Sequence, residues 1–153
     1  MSDPAYLSAH GMLSVRAELE QLTGAERAAV IARVASARAF GDLRENAEYD
    51  SARKEQSILE GRIEHLTTLL HRAVQIEDAS TVHVSLGTTV TVADDTQSEE
   101  TYLIVGSHEA SPANGRISST SPVGRALMGG RVGDTVHVVS PGGKFGMRIV
   151  SLA

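Results

Sequence analysis

The chain contains no cysteine, which excludes disulfides and thiolate metal sites and suits a reducing compartment such as the cytoplasm. Aromatic residues make up only 3%, so any core is built from Leu, Val, Ile and Ala. Basic charge is also short: 14 Lys and Arg stand against 19 Asp and Glu, for a net charge of −5. That balance argues against tight unassisted binding to nucleic acid. No apolar run reaches the length of about eighteen residues that a membrane helix needs, and no membrane partner is expected. The opening Met1-Ser2-Asp3-Pro4-Ala5-Tyr6 has no basic region followed by an apolar run, so no signal peptide is expected. The expected location is the cytoplasm.

What is present falls into two halves with different periods. With 153 residues and 41% hydrophobic content, the chain is long enough for one large domain or two small ones. Leu7 to Phe40 reads as helix, with Met12, Val15, Leu19 and Leu22 recurring at steps of three and four. Glu26 interrupts this stripe before Val30, Val34 and Ala37 resume it, and Thr23-Gly24 marks a place where the helix loosens or kinks. The second helix carries an unbroken heptad seam: Tyr49, Ala52, Gln56, Leu59, Ile63, Leu66, Leu70 and Ala73. Gly41-Asp42 is too short a connection for anything but antiparallel packing of the two helices, each arm spanning roughly 40–45 Å.

From Val82 the period changes to alternation. Thr88 to Val92 and Thr101 to Val105 read as strands around a loop at Asp94 to Ser98, and Arg116 to Ser119 as a further short strand. Ser121 caps a short helix, with Pro122 in its first turn and Gly129-Gly130 as its stop. Thr135 to Val139 and Lys144 to Val150 form a hairpin around Pro141-Gly142-Gly143. The expected class is α+β, with a helical hairpin in residues 1–78 and an antiparallel sheet with one short helix in 79–153. Glu77 to Ser80 is the expected linker.

The six histidines show no metal-ligand spacing, and neither glycine pair fits a phosphate loop. Chemistry concentrates where the two helices meet, at Gly41-Asp42-Leu43-Arg44-Glu45-Asn46-Ala47-Glu48-Tyr49-Asp50. Two readings remain open there. Asp42 and Glu45 have the spacing of a capping box, and acids at a helix N-terminus gain about 0.3–1 kcal/mol from the dipole. The same two carboxylates, beside Glu48 and Asp50, suit Mg²⁺, which takes one or two carboxylates and completes its shell elsewhere. Such a site would be incomplete until another macromolecule supplied the remaining ligands.

The tip sequence, with Ala52-Arg53 and Glu60-Gly61-Arg62-Ile63 after it, resembles the signature of the bacterial Gre transcript-cleavage (transcription elongation) factors, on the GreA-like side of that family. A second block is similar to the family's C-terminal domain: Ile117-Ser118, Ser121 to Leu127, Gly133-Asp134 and Pro141-Gly142-Gly143. The resemblance implies an antiparallel coiled coil joined to an FKBP-like domain, acting as a monomer. It implies that the globular domain docks on bacterial RNA polymerase at the rim of the secondary channel, through Ser121, Pro122, Gly124 and Arg125. The coiled coil would then reach the polymerase active centre and the nascent RNA 3′ end. Asp42 and Glu45 match the family's acidic tip pair, so the resemblance makes them ligands or orienters of a Mg²⁺ ion shared with the polymerase. The protein would stimulate the polymerase's own cleavage of backtracked RNA and would be no enzyme itself. The chain departs from the family pattern at Thr23 to Ala29, where Arg27 is the only basic residue. A channel-occupying inhibitor is the alternative reading, and a self-contained prolyl isomerase a further one that the few aromatics disfavour.

Overall fold

Two apolar stripes account for the helical part of the chain. The computed structural model describes residues 3–39 and 47–153. Contacts divide the chain into two compact units, Met12–Arg72 and Met1–Gly11 with Ala73–Ala153. Helix α1 (Ala9–Gln21) leads through a π turn at Leu22–Glu26 into α2 (Arg27–Arg38), and α3 (Ala47–Arg72) follows. Leu22, Val30, Val34 and Ala37 are buried on the first arm, and Ala52, Leu59, Ile63, Leu66 and Leu69 on the second. The last turn of α3 thus buries Leu69 rather than Leu70, since steps of three and four reach nearly the same face.

The π turn sits where the stripe is interrupted. Eight residues separate Leu22 from Val30, nearly one more than two α turns hold, at about 3.6 residues each. A π turn absorbs that residue and returns Val30 to the buried face. Thr23 Oγ1 donates to the Leu19 carbonyl at 2.8 Å, a local bond that competes with regular helix pairing.

Helices α2 and α3 run antiparallel, because partners retreat along α3 as they advance along α2. Arg27 pairs with Glu60, Arg33 with Glu55 and Arg38 with Tyr49. Farther along α3, Arg62 forks onto Glu18 at 2.8 and 3.0 Å.

The second unit is built on a sheet. Strands β3 (Thr89–Ala93), β4 (Glu99–Val105), β5 (Arg116–Ser118), β6 (Thr135–Ser140) and β7 (Gly143–Leu152) lie in the order β5-β4-β3-β7-β6. Val84, Val90, Val92, Ile104, Val138, Met147 and Ile149 pack with Leu127 of helix α4 (Pro122–Leu127) to form its core. Asp94 closes the β3–β4 turn as expected: its Oδ1 accepts from the Thr96 and Ser98 amides at 2.8 and 3.0 Å. Gly129 leaves α4 at φ 80°, the left-handed conformation that ends a helix cheaply only at glycine.

Two features correct the expectations. The sheet is mixed rather than antiparallel, because β5 runs parallel to β4. The connection between them carries two short helical turns, long enough for a crossover where a hairpin would have reversed the chain. The first helix starts at Ala9 and not at Leu7, because Ala5–Leu7 is strand β1, paired in parallel with β2 (Ala73–Gln75). Ser8 caps the helix instead: its Oγ accepts from the Gly11 amide and donates to Glu109, whose carboxylate also accepts from the Ser8 amide at 2.7 Å. No described helix is long and apolar enough to cross a membrane.

Candidate functional site

In sequence, the acidic stretch lies between the end of α2 and the start of α3. Asp42 and Glu45, with Gly41 before them, lie outside the described residues, so the capping box does too. On the near sides, Arg38 Nη2 donates to the Tyr49 hydroxyl at 3.3 Å, and the guanidinium carbon stands 5.8 Å from the ring centroid. This contact bridges the last turn of α2 and the first of α3, and a cation over an aromatic face adds attraction. The Arg38 hydrogen bond and charge draw the Tyr49 phenol below its ordinary range. Glu48 and Asp50 are exposed in the first turn of α3, where the helix dipole favours negative charge.

That neighbourhood fits a hard divalent cation in donor chemistry: exposed carboxylate oxygens, without soft ligands. Among the described residues no group of three or more His, Asp and Glu side chains is placed to hold a metal.

The second set of expected site residues meets in the first turn of α4. Ser121 Oγ accepts from the Gly124 amide at 3.1 Å and donates to the Ser118 carbonyl at 2.7 Å. Pro122 sits at the first helical position, where its missing N–H costs nothing. Gly124 is buried, and a Cβ there would stand 2.0 Å from the Ser118 carbonyl oxygen. These three residues thus build the turn. Arg125 differs: it is exposed, and its side chain makes no ion pair among the described residues.

Arg27, the one basic residue of the Thr23 to Ala29 stretch, is engaged by a two-bond fork to Glu60. Sequence reading missed that engagement, although Arg27 and Glu60 lie on facing antiparallel helices. It also passed over a cleft on the sheet face beside α4, lined by Asp94, Glu100, Tyr102 and Phe145 among others. The signal was available: Glu100 and Tyr102 alternate in phase with the core positions of β4.

The N-terminal family model described as "Transcription elongation factor, N-terminal" matches residues 5–74. The model described as "Transcription elongation factor, GreA/GreB, C-term" matches residues 79–153. A transcription elongation factor GreA from Caldanaerobacter subterraneus subsp. tengcongensis is 46% identical, over 99% of this chain and 99% of its own length. A protein of the same name from Chloroflexus aggregans is 46% identical over 97% of each chain. Another from Bacillus cereus is 44% identical over 95% of this chain and 94% of its own.

Proposed function

The chain belongs to the GreA/GreB family of transcription elongation factors, and on that premise we propose that it rescues arrested transcription by stimulating RNA cleavage inside bacterial RNA polymerase. The observation that carries the reading is the antiparallel pair of α2 and α3, between which the sequence places Asp42 and Glu45. Helix α3 alone, with 26 residues, spans about 39 Å, a length suited to a narrow channel such as the polymerase secondary channel.

In this reading the sheet unit docks at the channel rim and Arg125 supplies a charged contact. Ser121, Pro122 and Gly124 hold the turn that presents it. At the tip, Asp42 and Glu45 offer carboxylate oxygens beside the backtracked RNA 3′ end. Together with polymerase ligands they would hold a Mg²⁺ ion, which would supply Lewis-acid activation and a lowered water pKa for phosphodiester hydrolysis. The two carboxylates hold and orient; the hydrolysis belongs to the polymerase. The protein acts as a monomer, in the cytoplasm, and carries out no reaction alone.

A stalled elongation complex with RNA labelled at its 3′ end tests this. Adding the protein should release short labelled 3′ fragments and restore extension on nucleotide addition. Inhibition of extension with no fragment release would replace the proposal with the channel-occupying inhibitor.

A further inference from the structure

Helix α4 has only six residues and is about 9 Å long, whereas five strands spaced about 4.8 Å apart make a face more than twice as wide. Part of the α4-bearing face is therefore left uncovered, and a cleft of about 270 Å³ opens there. Val92 and Met147 line it as members of the core, and Val123 of α4 contributes to its wall. Phe145, 46% exposed, adds an aromatic wall.

The charged side chains that line the cleft are both acidic, Asp94 and Glu100. Val92 is paired with Glu100 and Val90 with Tyr102, so both side chains share the face of the buried valines. The Tyr102 hydroxyl donates to Glu100; burial first, then Glu100, pushes that phenol up to about 12, so it remains a neutral donor. Asp94 is fixed by Thr96 and Ser98, which hold its carboxyl below the ordinary range. No Lys, Arg or His lines the cleft.

We propose that this cleft receives an arginine side chain from a partner polypeptide. The size fits: ligand pockets usually exceed about 300 Å³, and this one suits a single side chain better than a whole small molecule. The chemistry selects a cation, since the carboxylates of Asp94 and Glu100 line the cleft beside an apolar floor and no basic side chain lines it. The aromatic rings select the guanidinium over an ammonium, because a planar, weakly hydrated cation stacks on a ring while forking onto a carboxylate. The apolar floor takes the aliphatic stem.

The proposal stands apart from the polymerase reading, because the probe is tested without polymerase. The full-length, isotope-labelled protein is titrated with the blocked tripeptide acetyl-Ala-Arg-Ala-amide at millimolar concentrations, with amide shifts recorded. Saturable shifts at Tyr102, Val123 and Gly146 are expected, with none for the citrulline peptide, which keeps the shape and loses the charge. Glu100→Gln keeps an acceptor for Tyr102, and should weaken binding about tenfold, the loss of one charge-assisted bond. Phe145→Ala, at a half-exposed position, should weaken it as well while the remaining spectrum is unchanged. Equal binding of the lysine peptide would overturn the guanidinium assignment. Absence of saturable shifts, or shifts that survive Glu100→Gln undiminished, would overturn the site.

Discussion

Arg27 and Glu60 meet across the helical arm as a two-bond fork, Nε to Oε1 at 2.9 Å and Nη2 to Oε2 at 2.8 Å. The hydrogen bond from Arg27 draws the Glu60 carboxyl below its ordinary range, so the pair is ionised throughout the neutral region. Both groups are exposed, and such pairs contribute little to stability and less as salt rises. The functional consequence is larger, because the only cation of this stretch is already committed. Added charge should therefore matter: Ala25→Lys with Ala28→Arg, both exposed positions, should strengthen crosslinking to the RNA 3′ end in an elongation complex. Unchanged crosslinking would show that this face points away from the RNA.

The π turn holds one residue more than an α-helix needs, and Gly24 has open space where a Cβ would stand. Deleting Gly24 should convert the turn to regular helix and leave Leu22, Val30, Val34 and Ala37 on one face. The deletion also removes a glycine that costs about 1 kcal/mol in a helix. Circular dichroism and thermal unfolding should show equal or higher stability. Deleting Ala35 instead, in regular helix between Val34 and Ala37, should lower it clearly. Equal losses from both deletions would mean the π turn does not set the register.

The α4 turn separates folding from docking. Gly124→Ala drives a methyl group into the Ser118 carbonyl, and overpacking of this kind costs about 1–3 kcal/mol, measurable by denaturant unfolding. Arg125→Ala removes an exposed side chain that makes no ion pair among the described residues, and should leave the unfolding midpoint nearly unchanged. It should nevertheless weaken competition for polymerase against the wild-type protein. If Arg125→Ala competes equally, docking uses another surface.

Two tyrosines should titrate at opposite ends of the alkaline range. Arg38 lowers the Tyr49 phenol, while burial and Glu100 raise Tyr102 to about 12. The tyrosinate absorbance should therefore show an early step lost in Tyr49→Phe and a late one lost in Tyr102→Phe. The stability sign follows for Tyr102. Its folded value lies above the free phenol's, about 10, so its contribution is complete below pH 10 and disappears between there and about 12. Unfolding midpoints across that window, wild type against Tyr102→Phe, read the difference.

Much of this was legible because the signals are local. The heptad from Ala52 to Leu66, the break at Thr23-Gly24, the Asp94 turn and the Ser121-Pro122 helix start all lie within a few residues of their cause. Strands β1 and β2 were not legible. Each has three residues, too few for a period to declare itself, and their partners lie 68 residues apart at Ala5 and Ala73. The direction of β5 is likewise set by its connection rather than by Arg116, Ile117 or Ser118. The ion-pair partner of Arg27 required the register between two helices, which pattern within one helix does not contain.

The central claim is that Asp42 and Glu45 act as more than helix caps. Asn caps a helix about as well as Asp, and Gln replaces Glu in a capping box. Asp42→Asn and Glu45→Gln should cost at most the dipole interaction of about 0.3–1 kcal/mol each, while removing the charge that a hard cation needs. The measurement is the rate of 3′-fragment release from a stalled elongation complex, with each variant at saturating concentration. The account predicts normal competition for polymerase, near-normal thermal stability and loss of most of the stimulated cleavage. Cleavage at the wild-type rate by a stably folded Asp42→Asn variant would contradict it.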